Sequence, residues 1–263
     1  MSEPDLHLDR RRADSFGEGA EEYDRSRPSY PAGLVDALLA GRPLRVLDVG
    51  CGTGLAARLF AGRGCDVLGI EPDPRMAEVA RRHGVAVESA TFESWDARGR
   101  RFDLLTAGQS WHWVDPWAGA AKATEVLRPG GRIGLFWNDS FLDPDVRAEI
   151  DALYAQHAPE LVGHSVLVGL PIGPRYEATA DVLRASGFEG VRLEQFPHAL
   201  TCSTARFVEL TSTHSDHRTL PGASLEKLLA GLGAVIERRG GEVEVRYETT
   251  LVTASTPAPC GTP

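Results

Sequence analysis

Residues 47–54 read Leu47-Asp48-Val49-Gly50-Cys51-Gly52-Thr53-Gly54. The glycines close an apolar run, PLRVLDVG (43–50), and open a stretch with apolar residues at helical spacing, LAARLFAGRG (55–64). That order predicts a strand, a glycine-rich turn and a helix. Glycines at such a turn permit positive φ and close approach of a ligand. In an open α/β sheet, ligands bind at the carboxyl ends of the strands. The spacing also separates this loop from two phosphate cradles. A dinucleotide G-x-G-x-x-G needs its third glycine at 55, where Leu55 stands, and no Lys follows as a P-loop demands. Asp48, just ahead of the glycines, suits a ligand with a cationic amino group and is a poor neighbour for pyrophosphate.

Outward from the loop, the pattern alternates. CDVLGIE (65–71), VAVESA (85–90), FDLLTAGQS (102–110) and RIGLFWN (132–138) read as strands; PRMAEVARRHG (74–84) and the start of WAGAAKATEVLRPGG (117–131) read as helices. Strands alternating with helices imply a parallel sheet covered on both faces. Beyond 140 the pattern changes. Residues 141–186 read as two helical stretches around a Pro/Gly-rich break (168–174), and 224–240 is helical. VRLEQFPHALTCS (191–203) and EVEVRYETTLVTAS (242–255) alternate as strands and suggest an antiparallel addition to the sheet.

Composition narrows the function. The chain has 263 residues, 42% of them hydrophobic, enough for a core. Against 28 basic residues stand 37 acidic ones, a net charge of −9, which disfavours a nucleic-acid binder. Lys occurs only at 122 and 227, a bias typical of a high-GC bacterial gene. No apolar run reaches the ~18–20 residues of a membrane helix, and the N-terminus carries no apolar signal core. Cys51, Cys65, Cys202 and Cys260 form no CxxC pair, so free thiols, no metal and a cytoplasmic location are expected.

LDVGCGTG resembles the first motif of class I S-adenosylmethionine-dependent methyltransferases of the small-molecule type. Glu71 lies 23 residues after Asp48, near the ~20 expected for a ribose-binding acid in a related nucleotide fold. The turn LRPGG (127–131) is a further hallmark, and FGEGAEEYDRSRPSYP (16–31) is similar to the leader that closes the site in such enzymes. The resemblance implies an α/β, Rossmann-like, doubly wound seven-stranded sheet, mostly parallel with an antiparallel last strand, plus helical cap insertions. It divides the chain into a tail (1–15), a cofactor core with an N-terminal lid (16–140), the rest of the fold with cap insertions (141–255) and a second tail (256–263). Residues 139–187 and 204–240 would supply the cap.

The resemblance assigns S-adenosylmethionine as cofactor, with S-adenosylhomocysteine as product. Its contacts would come from Tyr23, Arg27, Asp48, Gly50, Cys51, Gly52, Gly54, Glu71, Pro72, Met76, Thr91, Phe92, Glu93, Gly108 and Gln109. Met76 and Phe92 match positions that flank the adenine. Substrate contacts would come from Tyr30, Trp111, Trp113, His214 and Arg218. All five tryptophans fall between Trp95 and Trp137, and three sit in GQSWHWVDPW (108–117), after the fourth strand. Trp111 and Trp113 read equally as pocket wall or as core. His112 between them is the candidate catalytic residue, as a base or as a packed residue that orients the loop. His214-Ser-Asp-His217 offers two histidines but no third metal ligand.

The expected activity is methylation of a small molecule, such as a secondary metabolite, on oxygen, by a monomer or homodimer that engages neither nucleic acid nor membrane. Nitrogen or carbon acceptors, a non-catalytic S-adenosylmethionine-binding protein and a nicotinamide-dependent oxidoreductase are the alternatives.

Overall fold

The computed structural model describes residues 6–9, 17, 19–40, 44–162 and 173–258. Most of the expected tail over 1–15, including Arg10-Arg11-Arg12, lies outside the described residues, as do most of the break over 168–174 and Cys260.

The core is one seven-stranded sheet. Its strands are β1 (Arg45–Val49), β2 (Asp66–Ile70), β3 (Ala86–Glu88), β4 (Phe102–Gly108), β5 (Leu127–Phe141), β6 (Glu189–Ser203) and β7 (Glu242–Ser255), in the order β3-β2-β1-β4-β5-β7-β6. Pairings from β3 through β5 are parallel. β7 runs antiparallel to both β5 and β6, so it alone opposes the rest. The order reverses between β1 and β4, which opens a crevice at their carboxyl ends.

Alternation of side chains explains the two covered faces. Val46, Leu104, Phe136 and Leu251 pack against α2 (Ala32–Leu39) and α3 (Leu55–Ala61). Leu47, Leu105, Leu135, Trp137 and Val252 point to the other face, against α5 (Pro116–Val126) and α7 (Gly173–Ala185). α4 (Pro74–Arg82) starts on Pro74 with Asp73 as its cap, the Asp73 side chain accepting from the Arg75 N–H at 2.8 Å.

Several elements depart from the expectation. The leader holds two helices, α1 (Ala20–Ser26) and α2. LRPGG lies inside β5: Leu127 pairs with Phe102, then the register shifts before Arg132 meets Leu104. α7 is no part of a cap, because Tyr176, Ala180 and Leu183 bury their side chains in the main core. The cap is instead a second core built from α6 (Pro144–His157), α8 (Thr204–Ser212) and α9 (Gly222–Glu237) over the ends of β6 and β7 that outrun the parallel strands. At the expected C-terminal tail, Thr256 is buried; its hydroxyl donates to the Arg128 carbonyl at 2.7 Å, and Gly130 N–H donates to the Pro257 carbonyl at 3.1 Å.

Candidate active site

The glycine loop turns from β1 into α3 with Gly50, Gly52 and Gly54 all at positive φ (+62°, +55° and +85°). At Gly50 a Cβ would also collide with the Ser110 Cβ at 2.6 Å. Gly54 has a different task. It caps α3, and a Cβ there would press on Val85 and Ala80 at 3.1 and 3.3 Å. Gly54 is therefore absent from the pocket wall and serves packing beneath it.

The pocket opens at the carboxyl ends of β1, β2 and β4. Its walls include Tyr23, Tyr30, Asp48, Gly50, Cys51, Gly52, Glu71, Pro72, Met76, Thr91, Phe92, Glu93, Gly108, Gln109 and Trp113. Asp48 is 1% exposed. Its Oδ1 accepts from the Thr106 hydroxyl at 2.7 Å, while the buried Oδ2 has no hydrogen-bond partner. Burial pushes its pKa up to about 7, against the opposing pulls of the Thr106 hydroxyl and the Ala57 backbone N–H. Glu71 ends β2 with its Oε2 accepting from Gly52 N–H and its Oε1 from Asp73 N–H, each at 2.9 Å. Burial likewise raises its pKa to about 7. Each Glu71 oxygen keeps acceptor capacity for another donor.

Met76 and Phe92, both buried, line the same pocket as Glu71. The segment carrying Phe92 is tied down by Glu88, which takes a paired contact from Arg100 at 2.8 and 2.9 Å and one from the Trp95 indole at 2.5 Å. The Arg100 hydrogen bonds pull the Glu88 pKa down to about 2. At the other end, Gln109 sits at φ +57°, donates its N–H to the Phe136 carbonyl and turns the chain away from β4. A Cβ at Gly108 would lie 2.8 Å from the Tyr30 hydroxyl, so glycine lets that ring close over the strand end.

The tryptophans divide. Trp111 is 4% exposed and packs with Phe92 and Val114, so it is core and not part of this pocket's wall. Trp113 is pocket wall. Trp137 is core, Trp95 is core beside Glu88, and Trp117 is 59% exposed. His112 stands behind Trp113 (ring centroids 4.9 Å apart), and its Nδ1 accepts from the Trp137 indole N–H at 3.3 Å.

Arg27, His214 and Arg218 are likewise outside the pocket wall. Arg27 stacks over Tyr23 at 4.8 Å and donates to the Thr213 hydroxyl and carbonyl at 3.1 and 3.0 Å. Arg218 passes tightly against Gly19, where a Cβ would lie 2.2 Å from its Nη2. Arg25 pairs with Glu209 of α8. On the core side, Asp24 holds Arg58 at 2.6 Å and His83 at 3.0 Å. These contacts make α1 a strap between the nucleotide-type core and the cap. His217 is fully buried, its Nδ1 hydrogen-bonded to the Asp216 carboxylate at 2.7 Å and its Nε2 to the Tyr154 hydroxyl at 2.5 Å, so the Tyr154–His217 pair staples the cap.

Sequence reasoning missed Ser110, Thr106 and Asp73. Ser110 donates to the Val49 carbonyl at 2.6 Å and braces Gly50. Thr106 could have been found from the parallel register that sets it beside Asp48. Among the described residues, no group of three or more His, Cys, Asp or Glu is placed to hold a metal, and no helix is long and apolar enough to cross a membrane.

An open α/β sheet with a glycine loop, a buried acid on β1 and an acid ending β2 defines a nucleotide-type cofactor site. A family profile described as "Methyltransferase domain" matches residues 23–157, just over half the chain. The chain belongs to that family, the class I S-adenosylmethionine-dependent methyltransferases. An uncharacterised methyltransferase of Mycobacterium tuberculosis is 42% identical over 127 residues, 47% of this chain and 52% of that protein. A ubiquinone biosynthesis O-methyltransferase of Cereibacter sphaeroides is 37% identical over 119 residues, 43% of this chain and 45% of that protein. The chain thus spans about half the length of these curated relatives. A solved structure named as a type II methyltransferase, from Anaeromyxobacter dehalogenans, aligns with a TM-score of 0.65 at 22% identity, covering 88% of this chain and 99% of that one. It shares the fold.

Proposed function

We propose that this protein transfers a methyl group from S-adenosylmethionine to an oxygen of a small-molecule acceptor. The unpartnered buried Oδ2 of Asp48, facing the same pocket as Glu71, carries the proposal. A buried carboxylate oxygen without a donor is costly unless a ligand supplies one. The amino-acid ammonium of the cofactor is such a donor. Glu71 has acceptor capacity left for the two ribose hydroxyls, and apolar Met76 and Phe92 in the same wall suit a flat base. The absence of a third glycine at Leu55 and the lack of a basic phosphate cradle disfavour a dinucleotide.

The bound cofactor supplies a methyl group on a positively charged sulfur that leaves as a neutral thioether. The remaining work belongs to the chain. Gly50 and Gly52 let the backbone approach, Asp48 fixes the amino-acid end and Glu71 fixes the sugar. Tyr30, Gln109 and Trp113 wall the region past β4 where an acceptor would meet the methyl. Such alignment can account for ~7–11 kcal/mol of the barrier. The α1 strap, held by Arg27 on Thr213, puts Tyr23 in the pocket wall and would exclude water once the cofactor is bound.

An oxygen acceptor is supported by the likeness to the ubiquinone biosynthesis O-methyltransferase. A small acceptor is supported by the lid and cap and by the net charge of −9. Calorimetric titration with S-adenosylhomocysteine and with NAD tests the cofactor: tight binding of NAD alone would end the proposal. Transfer of radiolabelled methyl to a panel of carboxylic acids, phenols, amines and carbon acids tests the acceptor. Labelling confined to amines or carbon acids would replace oxygen, and no transfer to any acceptor would favour a non-catalytic binding protein.

A further inference from the structure

We infer that Trp137 holds His112 as a neutral ring protonated on Nε2, so that His112 has no ring lone pair available to act as a general base. Trp137 is then a positioning residue. The inference deepens the methyl-transfer proposal, and its kinetic half rests on it.

The indole nitrogen of Trp137 is a donor only, so the nitrogen that receives its N–H cannot itself carry a proton. That nitrogen is His112 Nδ1, at 3.3 Å. In the neutral ring the proton must therefore sit on Nε2. General-base catalysis needs an available ring lone pair within reach of the acceptor's proton. The only lone pair of this tautomer is at Nδ1, and Trp137 occupies it. Protonating Nδ1 would set two N–H groups against each other.

The indole has little freedom to turn away. Trp137 is 1% exposed in the middle of β5, and its ring packs on Tyr176 of α7 with centroids 5.2 Å apart. The Tyr176 hydroxyl in turn shares its one proton between the two oxygens of buried Asp139, 2.6 and 2.7 Å away, two residues further along the same strand. Asp139, Tyr176, Trp137 and His112 thus form one continuous clamp, from the end of β5 across α7 to the loop that bears Trp113. The packed His112–Trp113 pair transmits the clamp to the pocket wall.

Nitrogen-15 spectroscopy of the histidine rings in the full chain at neutral pH tests the tautomer. The expected result is an unprotonated, hydrogen-bonded Nδ1 and a protonated Nε2 at His112. A proton on Nδ1 would overturn the inference. In Trp137→Phe, which keeps an aromatic ring but no N–H, the Nδ1 signal should move toward that of an unbonded nitrogen; an unchanged signal would also overturn it. Kinetics of His112→Gln test the role. The variant has no basicity, so its kcat/KM should fall no more than about tenfold, short of the ~10²–10⁴-fold cost of losing a base. A fall of ~10²-fold or more would restore the base role. The ring-nitrogen measurement needs no turnover, so failure of the methyl-transfer proposal would be seen separately.

Discussion

Asp48 and Thr106 face each other across the junction of β1 and β4, and the Thr106 hydroxyl binds one oxygen of Asp48 at 2.7 Å while the other oxygen has no partner. The pair sits where the strand order reverses, so the sheet presents a half-satisfied carboxylate at the place where it opens. Asp48 and Glu71 both have pKa values of about 7 in the cofactor-free protein, raised by burial.

Cofactor affinity should therefore rise between roughly pH 5.5 and 7.5. The cationic ligand favours ionised Asp48, so binding below pH 7 releases a proton, and each released proton changes affinity by up to about tenfold per pH unit. Calorimetry in buffers of different ionisation enthalpy measures that release. A flat profile would contradict the assignment, and Asp48→Asn should both flatten the profile and weaken binding by about 10–100-fold.

Stability of the cofactor-free protein should move the opposite way. The folded pKa of Asp48, about 7, lies above the ordinary 3.8. The unfolded chain therefore releases its proton first as pH rises, and the stabilising contribution, complete below about pH 4, is lost through pH 7. The thermal midpoint of wild type should fall from pH 5 to pH 7.5 more steeply than that of Asp48→Asn. Parallel curves for the two proteins would refute this.

Two glycine substitutions should separate backbone strain from site collapse. Gly84 has φ +83°, and a Cβ placed there would meet nothing within 4 Å, so Gly84→Ala should cost about 1–2 kcal/mol and spare cofactor binding. Gly50→Ala adds a 2.6 Å clash with Ser110 and should abolish binding as well. Urea denaturation and cofactor titration on both variants give the comparison.

Trp111→Ala should destabilise by about 3–5 kcal/mol, since it empties a buried core position. Trp117→Ala, at a residue 59% exposed, should stay within about 0.5 kcal/mol. Similar losses in chemical denaturation would place Trp117 in a covered surface.

Arg27→Ala should act on the strap. It removes two hydrogen bonds to Thr213, so KM for the cofactor should rise several-fold with a stability change near 1 kcal/mol. Arg27→Lys should recover only part of the effect, because an ammonium cannot reproduce the guanidinium's fork. An unchanged KM would mean that the strap does not cover the site.

The parallel half of the sheet was legible because its strands are short apolar runs separated by helical periodicity, and because Gly50, Gly52 and Gly54 mark a turn that only glycine tolerates. β6 and β7 were legible through alternation. α1 and α2 were hidden in the leader by the Pro28 and Pro31 breaks, and α8 by its short length. Arg27 and Arg218, expected at the pocket, lie outside its wall. An arginine looks the same in sequence whether it meets a ligand or a neighbouring element, and only the docking of α1 beside the end of α8 brings Arg27 to Thr213.

The sequence by itself determined the fold class, the cofactor loop and the two acids, since local spacing dictates strand, turn and helix and fixes where Asp48 and Glu71 fall. It also showed that the tryptophans cluster. Tertiary structure alone decided their fates: Trp113 as wall, Trp111 and Trp137 as core, and His112 joined to Trp137 at 3.3 Å. The physical reason is that burial and hydrogen-bond partners are properties of packed elements distant in the chain. β4 and β5 must pair before the ring of residue 112 can meet the indole of residue 137.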